Sequence, residues 1–290
     1  MAVPVEEDER DRRSSPGGRL DLEALELQLL LEGVYKQYGF DFREYAPASL
    51  KRRVWRRVHA EHLTTISGLL EKVLHDATCM ERLLLDLSIN VTSMFRDPTF
   101  YVAFRSQVVP FLRTYPFTRI WVAGCSTGEE VYSLAILLTE EELYERARIY
   151  ATDINEVVLE RARAGVFPLD RMRDYTDNYI RAGGRRSFSE YYLAKYEGAL
   201  FDRQLTRNVV WAQHNLVQDR AFQEFNVILC RNVMIYFDRP LQNRVHRLFH
   251  ESLERFGILC LGHKESIRFT EFEDSYEELD PHEKLYRRVK

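Results

Sequence analysis

The spacing of hydrophobic residues changes near Phe117 and divides the chain into two regions. From about Leu20 to Leu87, apolar residues recur every three or four positions, which is the period of amphipathic helices. In the first of these helices, which ends at Gly39, the pattern predicts one apolar stripe made of Leu22, Leu25, Leu29, Val34 and Tyr38. The first region is therefore predicted to be helical.

A second helix is predicted to begin at Ser49, whose hydroxyl can cap the first turn. Leu50, Val54 and Val58 recur every four residues and form the expected buried face. Five cations lie within seven residues of the same helix: Lys51, Arg52, Arg53, Arg56 and Arg57. Such a run is either a solvated helix face or a surface for an acidic partner.

Beyond Phe117, short β-rich apolar runs alternate with amphipathic helices. The predicted strands are RIWVAG, ARIYATDI, FNVILCRNV and ILCLGH. This alternation predicts an α/β fold with a parallel sheet, whose ligands bind at the carboxyl ends of the strands. The loops expected at that edge are Gly124–Gly128, Asp153–Asn155, Asn215–Leu216 and Arg231–Asn232.

One interval interrupts the alternation, because short alternating runs there predict a small antiparallel β insertion at about 168–214. The predicted organisation is then complete. A disordered tail covers 1–19, and a helical N-terminal domain covers 20–89. A linker that contributes to the ligand site covers 90–116, and the α/β domain covers 117–290.

Composition narrows the class of protein. The chain has 290 residues, of which 45% are hydrophobic and 30% charged, the profile of a globular protein. The formal net charge of −4 argues against a general nucleic-acid binder. No apolar run approaches the ~20 residues of a membrane helix, and the N-terminus lacks the apolar core of a signal peptide. We therefore expect a cytoplasmic protein without membrane insertion. Its four cysteines form no CxxC pair, which indicates reduced thiols and no metal site.

The glycine turn GCSTGEE is followed by two acids, Glu129 and Glu130, at the predicted start of a helix. Two carboxylates there would repel a pyrophosphate but would suit a ligand with positive charge, such as the sulfonium and ammonium of S-adenosylmethionine. The alternative is that both acids only complement the helix dipole. The glycine turn alone is a weak signal.

Polar residues at the other strand ends add to this interpretation. Asp153 can accept the ribose hydroxyls of a nucleoside, or it can be a helix N-cap; NAD and S-adenosylmethionine both contain that ribose. Arg231 follows a buried strand and needs partners if it is buried. Tyr236 either meets substrate or is held by packing. Upstream of the sheet, Asn90, Thr92 and Arg96 lie in a polar stretch, NVTSMFRD.

Five stretches together resemble the CheR family, the chemoreceptor glutamate O-methyltransferases: NVTSMFRD, AGCSTGEEVYSLA, ATDIN, FNVILCRNVMIYFD and LGHKES. The resemblance begins near Leu20. It implies a Rossmann-like class I methyltransferase domain, preceded by an all-α domain. The implied cofactor is S-adenosylmethionine, the product is S-adenosylhomocysteine, and no metal takes part.

The resemblance also implies roles for individual residues. The cofactor contacts would be Asn90, Thr92, Arg96, Glu130, Asp153, Asn215, Leu216, Arg231 and Asn232, with Glu129 as the alternative to Glu130. The catalytic residues would be Arg96 and Tyr236, with Tyr236 near the reacting methyl group. The basic helix would dock on the cytoplasmic helical bundle of a chemoreceptor through Lys51, Arg52, Arg53, Arg56 and Arg57.

The sequence departs from the family pattern at Val131 and at Lys264, where proline and serine are usual. The insertion reads AKYEGALF and lacks the glycine-rich spacer of members that bind a receptor's C-terminal pentapeptide. We therefore expect a pentapeptide-independent, monomeric enzyme. Alternatives are an RNA methyltransferase, a binding module that has lost turnover and, more distantly, a nicotinamide dehydrogenase.

Overall fold

The computed structural model describes residues 17–88, 92–196 and 198–290. Its described residues form two compact units. The first unit comprises the residues up to Arg43 together with Pro47–Leu87, and the second comprises Glu44–Ala46 and Ser88–Lys290.

Four helices make up the described part of the first unit, and they are α1 Gly17–Tyr38, α2 Pro47–Ala60, α3 Ile66–His75 and α4 Ala77–Leu87. The apolar spacing of TISGLLEKVLHDATCMERLLLDLS predicts a third helical stretch, and the structure divides it between α3 and α4. It breaks at Asp76, whose carboxylate accepts hydrogen bonds from the amide and the hydroxyl of Thr78. Residues from all four helices form a common core, with Val34, Val54, Leu69 and Leu83 each fully buried.

Two predictions about these helices were wrong. Helix α2 begins at Pro47, so Ser49 is not its N-cap; the Ser49 hydroxyl instead accepts a hydrogen bond from Arg53 within the helix. Leu22, Leu25 and Leu29 are about half exposed, at 56%, 51% and 48%. Of the five residues in the predicted stripe only Val34 is fully buried, and helix α1 otherwise buries the neighbouring stripe, which includes Leu30. The sequence run LLL offers either stripe to the core, and periodicity alone could not choose between them.

The second unit contains the other described helices and strands. In chain order they are α5 Pro98–Ala103, α6 Val109–Leu112, β1 Thr118–Ala123, α7 Glu129–Glu140, β2 Ala147–Asp153, α8 Glu156–Ala164, β3 Val166–Pro168, α9 Met172–Arg181, β4 Tyr192–Lys195, β5 Gly198–Phe201, β6 Val209–Gln213, β7 Phe225–Cys230, α10 Arg239–Ser252, β8 Leu253–Leu261, β9 Tyr276–Asp280 and β10 Leu285–Arg288.

Seven of these strands form the main sheet, in the order β6-β2-β1-β7-β8-β10-β9. The first five are parallel, and the last two add to β8 as an antiparallel pair. Strand β1 is central and buried on both faces. Its Ile120 and Val122 belong to one core cluster, and its Trp121 and Ala123 belong to the cluster that α10 completes. The predicted mostly parallel α/β fold is confirmed.

The small antiparallel sheet has the order β3-β5-β4 and ends at Phe201. The predicted limit of the insertion at residue 214 was wrong, because β6 belongs to the main sheet. There Val209 lies opposite Ile149 of β2 in parallel register. The antiparallel pair β9–β10 was not predicted, because charged residues interrupt the apolar residues in both strands.

The segment predicted as a linker at 90–116 is largely helical in its described part. Helices α5 and α6 are joined by a π-helical turn, Phe104–Val108, so the chain coils continuously from Pro98 to Leu112. Phe100, Phe104 and Leu112 are buried in the core of the second unit. The described part of this segment thus belongs to the core of the second unit.

None of the helices in the described part of the chain is both long and apolar enough to cross a membrane.

Candidate cofactor site at the carboxyl edge of the sheet

The candidate site lies where β6, β2, β1 and β7 end. All four strands are parallel, so the loops that follow them meet at one edge of the sheet. From β1 the chain proceeds outward to β2 and then β6, and it returns to the other side of β1 with β7. Strand order therefore reverses between β1 and β7, and open α/β sheets bind their ligands at such a reversal.

The glycine turn after β1 depends on its glycines. Gly124 has φ +74° and Gly128 has φ +96°, in the left-handed region that favours glycine. A Cβ atom on Gly124 would lie 2.6 Å from Cγ2 of Val233, and one on Gly128 would lie 2.9 Å from Cβ of Ala162. The turn is therefore held closely between the loop after β7 and helix α8.

Asp153 ties the end of β2 to this turn. Its Oδ2 accepts the Ser126 amide at 2.9 Å and its Oδ1 accepts the Asn155 amide at 3.0 Å. Burial raises the pKa of Asp153, and the amide hydrogen bonds oppose that rise. Each oxygen keeps a second lone pair that a ligand hydroxyl can use. The N-cap of α8 is Asn155, which accepts the Val157 amide, so the structure does not give Asp153 that alternative role.

Arg231 binds two acids at the same edge. Its Nη1 lies 2.7 Å from Oε1 of Glu130, and its Nη2 lies 3.0 Å from Oδ2 of Asp97 and 3.3 Å from the Arg96 carbonyl oxygen. The guanidinium also lies 3.9 Å from the ring centroid of Phe100. Arg231 is 6% exposed, so these partners are what permits its burial. It fixes the positions of Glu130 and of the loop at residues 96–97.

Glu129 and Glu130 differ in environment although they are adjacent in sequence. The Glu129 carboxylate is buried, and it accepts the Thr127 hydroxyl at 2.6 Å and the Tyr175 hydroxyl at 3.3 Å. Burial raises the pKa of Glu129. Glu130 is only half-buried. Both oxygens of Glu129 accept hydroxyl groups within the fold, whereas Glu130 uses its Oε1 on Arg231, so Glu130 is the better placed of the two to meet a ligand.

The described part of the upstream loop is hydrogen-bonded to helices α7 and α9. The Phe95 amide donates to the Ser133 hydroxyl at 2.8 Å, and Asn178 donates to the Met94 carbonyl oxygen at 3.1 Å. Thr92 and Arg96 are half-buried in this loop. The Arg96 backbone lies close to the Glu130–Arg231 pair, because its carbonyl oxygen accepts a hydrogen bond from Arg231.

Asn90, predicted as a cofactor contact, lies outside the described residues.

The loops after β6 and β7 contain the other predicted residues. The Asn215 side-chain oxygen accepts the Val217 amide at 3.0 Å, and Leu216 packs against the core that α10 completes. Asn232 has φ +62°, and Tyr236 ends a 3-10 turn, Met234–Tyr236, in a half-buried position. All of these loops belong to the same edge of the sheet.

Sequence reasoning missed Glu265, the residue that holds the loop after β7. Its carboxylate accepts four backbone amides at 2.7–2.9 Å, those of Gly262, Asn232, Val233 and Met234. Glu265 is 5% exposed, and burial raises its pKa while the amides oppose the rise. An acid within LGHKES, directly after a buried strand, was the available signal. Glu265 positions the turn that ends at Tyr236.

The basic helix α2 does not present all five of its cations. Arg53 is 7% exposed and donates to the Leu87 carbonyl oxygen at 2.7 Å, and the Arg57 side chain is 14% exposed and lies 2.5 Å from Oδ2 of Asp86. Arg53 and Arg57 complete the packing of the first unit in the free protein, so their part in a docking surface stays a prediction. Arg52 and Arg56 are exposed and Lys51 is partly exposed.

Two family models match this chain. The model described as "CheR methyltransferase, SAM binding domain" matches residues 90–282, which is more than half of the chain. The chain belongs to the CheR methyltransferase family. A second model, "CheR methyltransferase, all-alpha domain", matches residues 25–88. The predicted family and the class I S-adenosylmethionine-dependent fold with an all-α domain before it are confirmed.

Curated relatives cover nearly the same span. Cher3 of Pseudomonas putida is 49% identical over 264 residues, which are 91% of this chain and 97% of Cher3. The chemotaxis protein methyltransferase of Listeria monocytogenes is 29% identical over 237 residues, covering 81% of this chain and 87% of that protein. The Escherichia coli chemotaxis protein methyltransferase is 29% identical over 261 residues, covering 87% and 88% respectively.

The residues at the sheet edge of this CheR protein fit a cationic nucleoside. Asp153 supplies acceptors for hydroxyl groups. Glu130 and Asp97 together exceed their shared cation, Arg231, by one negative charge, where a phosphate binder would need N–H donors or cations. Within the described ranges, no group of three or more His, Cys, Asp or Glu side chains is arranged to hold a metal ion.

Proposed function

We propose that this CheR-family protein methylates glutamate side chains of bacterial chemoreceptors, forming γ-methyl esters and S-adenosylhomocysteine from S-adenosylmethionine. The observation that carries this proposal is the grouping of the glycine turn, Asp153 and the Glu130–Arg231 pair at the strand-order reversal. The family and its chemotaxis relatives support the choice of substrate.

In this proposal each residue of the site has a binding role. Asp153 accepts the ribose hydroxyls, because each of its oxygens already holds one amide and retains a free lone pair. Glu130 attracts the positively charged part of the cofactor. Arg231 holds Glu130 in place, and Asn215, Leu216 and the described Thr92 complete the contacts, with Asn232 beside the methyl donor.

S-adenosylmethionine, held by Asp153 and Glu130, would supply a methyl group carried on a positively charged sulfur, for transfer to a carboxylate oxygen of the substrate. A glutamate with a pKa of about 4.3 is already ionised at neutral pH, so the protein need not supply a general base. Arg96 and Tyr236 therefore orient the reacting groups and exclude water. Positioning of this kind can contribute about 7–11 kcal/mol.

For the partner, we propose that the exposed face of α2 docks on the acidic cytoplasmic helices of the receptor through Lys51, Arg52 and Arg56. Arg56 and Lys51 pair with Asp86 and Glu23 in the free protein, so docking would exchange these partners. The protein would act in the cytoplasm as a monomer, and without a receptor pentapeptide.

The first test is calorimetric titration with S-adenosylmethionine and S-adenosylhomocysteine, with NAD as the control ligand. We expect micromolar binding of the first two, no binding of NAD, and a loss of at least tenfold in affinity for Asp153→Asn. A radiolabelled methyl group transferred to a receptor cytoplasmic fragment should be base-labile, as an ester is. Binding without transfer would favour a module that has lost turnover, and methyl transfer to RNA would contradict the proposal.

A further inference from the structure

A pocket of about 230 Å³ lies beside the turn that ends at Tyr236. Helix α10 and the loop after β8 line it, and the side chains used below are Ile235, Arg239, Asn243, His246, Lys264 and Arg268. Strands β7 and β8 are parallel, so this pocket lies at the same sheet edge as the cofactor loops.

One turn separates this pocket from the glycine turn. Gly124 packs on Val233 of that turn, and the next residues, Met234 and Ile235, line the pocket. The Glu265 carboxylate holds the turn by accepting hydrogen bonds from the amides of Val233 and Met234. A group bound in the pocket therefore lies next to the turn that carries Tyr236.

The rim of the pocket is positively charged, with cations from Arg239, Lys264 and Arg268. Among the described residues, Lys264 has neither a hydrogen bond nor an ion pair, and it is exposed. Arg268 makes a 3.3 Å contact with Glu278, and Arg239 donates to the Phe269 carbonyl oxygen. Glu265 is the acidic residue among the side chains that line the pocket, and both of its carboxylate oxygens accept hydrogen bonds from backbone amides. The pocket therefore has an excess of positive charge.

The floor of the pocket is polar and uncharged. His246 is 3% exposed, and burial lowers its pKa to about 4, so the ring is neutral at pH 7. Asn243 has a buried Oδ1 for which no partner is found among the described residues. A buried amide without a partner costs free energy, and a ligand with an amide group of its own would remove that cost. The favoured ligand combines a carboxylate with an amide.

The size of the pocket limits the ligand. Sites for drug-sized molecules and cofactors usually occupy about 300–1,000 Å³, so a nucleotide is too large here. One acidic side chain with its peptide group is of suitable size.

We propose that this pocket binds an acidic side chain of the protein substrate, next to the residue that accepts the methyl group. This inference rests on the proposed function for the identity of the substrate. The pocket would select acceptor glutamates that have a second acidic residue close by, and Lys264 would be its principal anion contact.

The pocket itself can be tested without methyl transfer. The probe is N-acetyl-L-glutamate α-methylamide, titrated by NMR into the full chain, with the corresponding glutamine compound as the neutral control. We expect the glutamate probe to bind about tenfold more weakly to Lys264→Gln and to Arg239→Gln, since each removes a charge-assisted contact. The matched control is Arg247→Gln, also on α10 but exposed and paired with Glu271, and it should bind as wild type does.

Kinetics then decide the source of the carboxylate. With a receptor cytoplasmic fragment as substrate, Lys264→Gln should raise KM about tenfold and leave kcat and S-adenosylmethionine affinity within twofold. Equal probe affinity in wild type and Lys264→Gln would overturn the inference. Probe binding that depends on Lys264 without any change in KM would also overturn it, and would assign the pocket to a free carboxylate. Absence of methyl transfer by wild type would refute the proposed function, while the probe titration would still report on the pocket.

Discussion

The fold treats two sets of charged residues differently: those at the carboxyl edge of the sheet come together, and those on helix α2 are separated. At the sheet edge, residues distant in sequence converge, and a single buried arginine, Arg231, joins Glu130 to Asp97. On helix α2, five cations adjacent in sequence separate, since Arg53 and Arg57 turn inward while Arg52 and Arg56 remain exposed. Clustering in sequence therefore does not predict a shared surface, and separation in sequence does not exclude a shared site.

The largest loss of stability is expected on replacing Arg231, the residue that joins the acids at the sheet edge. Arg231→Met should destabilise the protein by about 3–5 kcal/mol, because it leaves Glu130 and Asp97 near a buried site without their cation. Chemical denaturation monitored by circular dichroism measures the loss. A loss below about 1 kcal/mol would mean that the two acids do not depend on Arg231.

The glycine turn allows the site's backbone to be tested with a matched glycine elsewhere. Gly124→Ala should cost about 1–3 kcal/mol more than Gly39→Ala. Both glycines have positive φ, but only at Gly124 would the new Cβ meet a neighbour, Val233.

The same denaturation experiment compares the two variants. Gly124→Ala combined with Val233→Ala should recover part of the loss, and no recovery would assign the cost to backbone conformation alone.

Two neighbouring arginines on α2 sharpen the contrast between buried and exposed cations. Arg53→Met should destabilise the first unit by about 1–3 kcal/mol, because the Leu87 carbonyl loses its donor. Arg52→Met should change stability by less than ~0.5 kcal/mol. Receptor pull-down should show the reverse order, with weaker docking for Arg52→Met only. Equal stability of the two variants would contradict the assigned burial.

The smallest effect concerns acid stability. Glu61 accepts hydrogen bonds from Arg82, Lys72 and Arg57, which lower its pKa to about 2. Because this pKa is lower in the folded protein than in the unfolded chain, its contribution is present above about pH 4.3 and is lost as the pH falls towards 2.

The free energy of unfolding of Glu61→Gln should therefore fall less steeply between pH 4.5 and pH 2 than that of the wild type. Parallel slopes would show that Glu61 is not held by these cations.

Much of the fold was predictable because strands and helices alternate with clear periods. Strands β1 and β7 are buried along nearly their whole length, which is what a sheet covered on both faces requires. Strand β6 was assigned to the antiparallel insertion and not to the main sheet, because a short apolar run does not reveal which sheet it joins. The helix at Pro98–Leu112 was missed because its polar entry resembles a linker and its regular hydrogen bonding is interrupted by a π turn.

The candidate site was predictable as a set of strand ends, but its internal order was not. The sequence shows that Asp153 and Arg231 follow apolar strands, and parallel pairing then places them at one edge. It does not show that Glu129 turns inward to Thr127 and Tyr175 while Glu130 reaches Arg231, because adjacent helical residues point about 100° apart and only the packed core decides which is buried.

By itself, the sequence determined the helical first region, the α/β second region and the strand ends where ligand contacts gather, because these follow from local periodicity and strand order. Only the tertiary structure decided which charges are available. Arg53 donates to the Leu87 carbonyl oxygen, and Arg57 pairs with the Asp86 carboxylate. Glu265 is hidden beneath four amides, whereas Lys264 next to it is left exposed. The reason is that pairing and burial depend on residues brought together from distant parts of the chain.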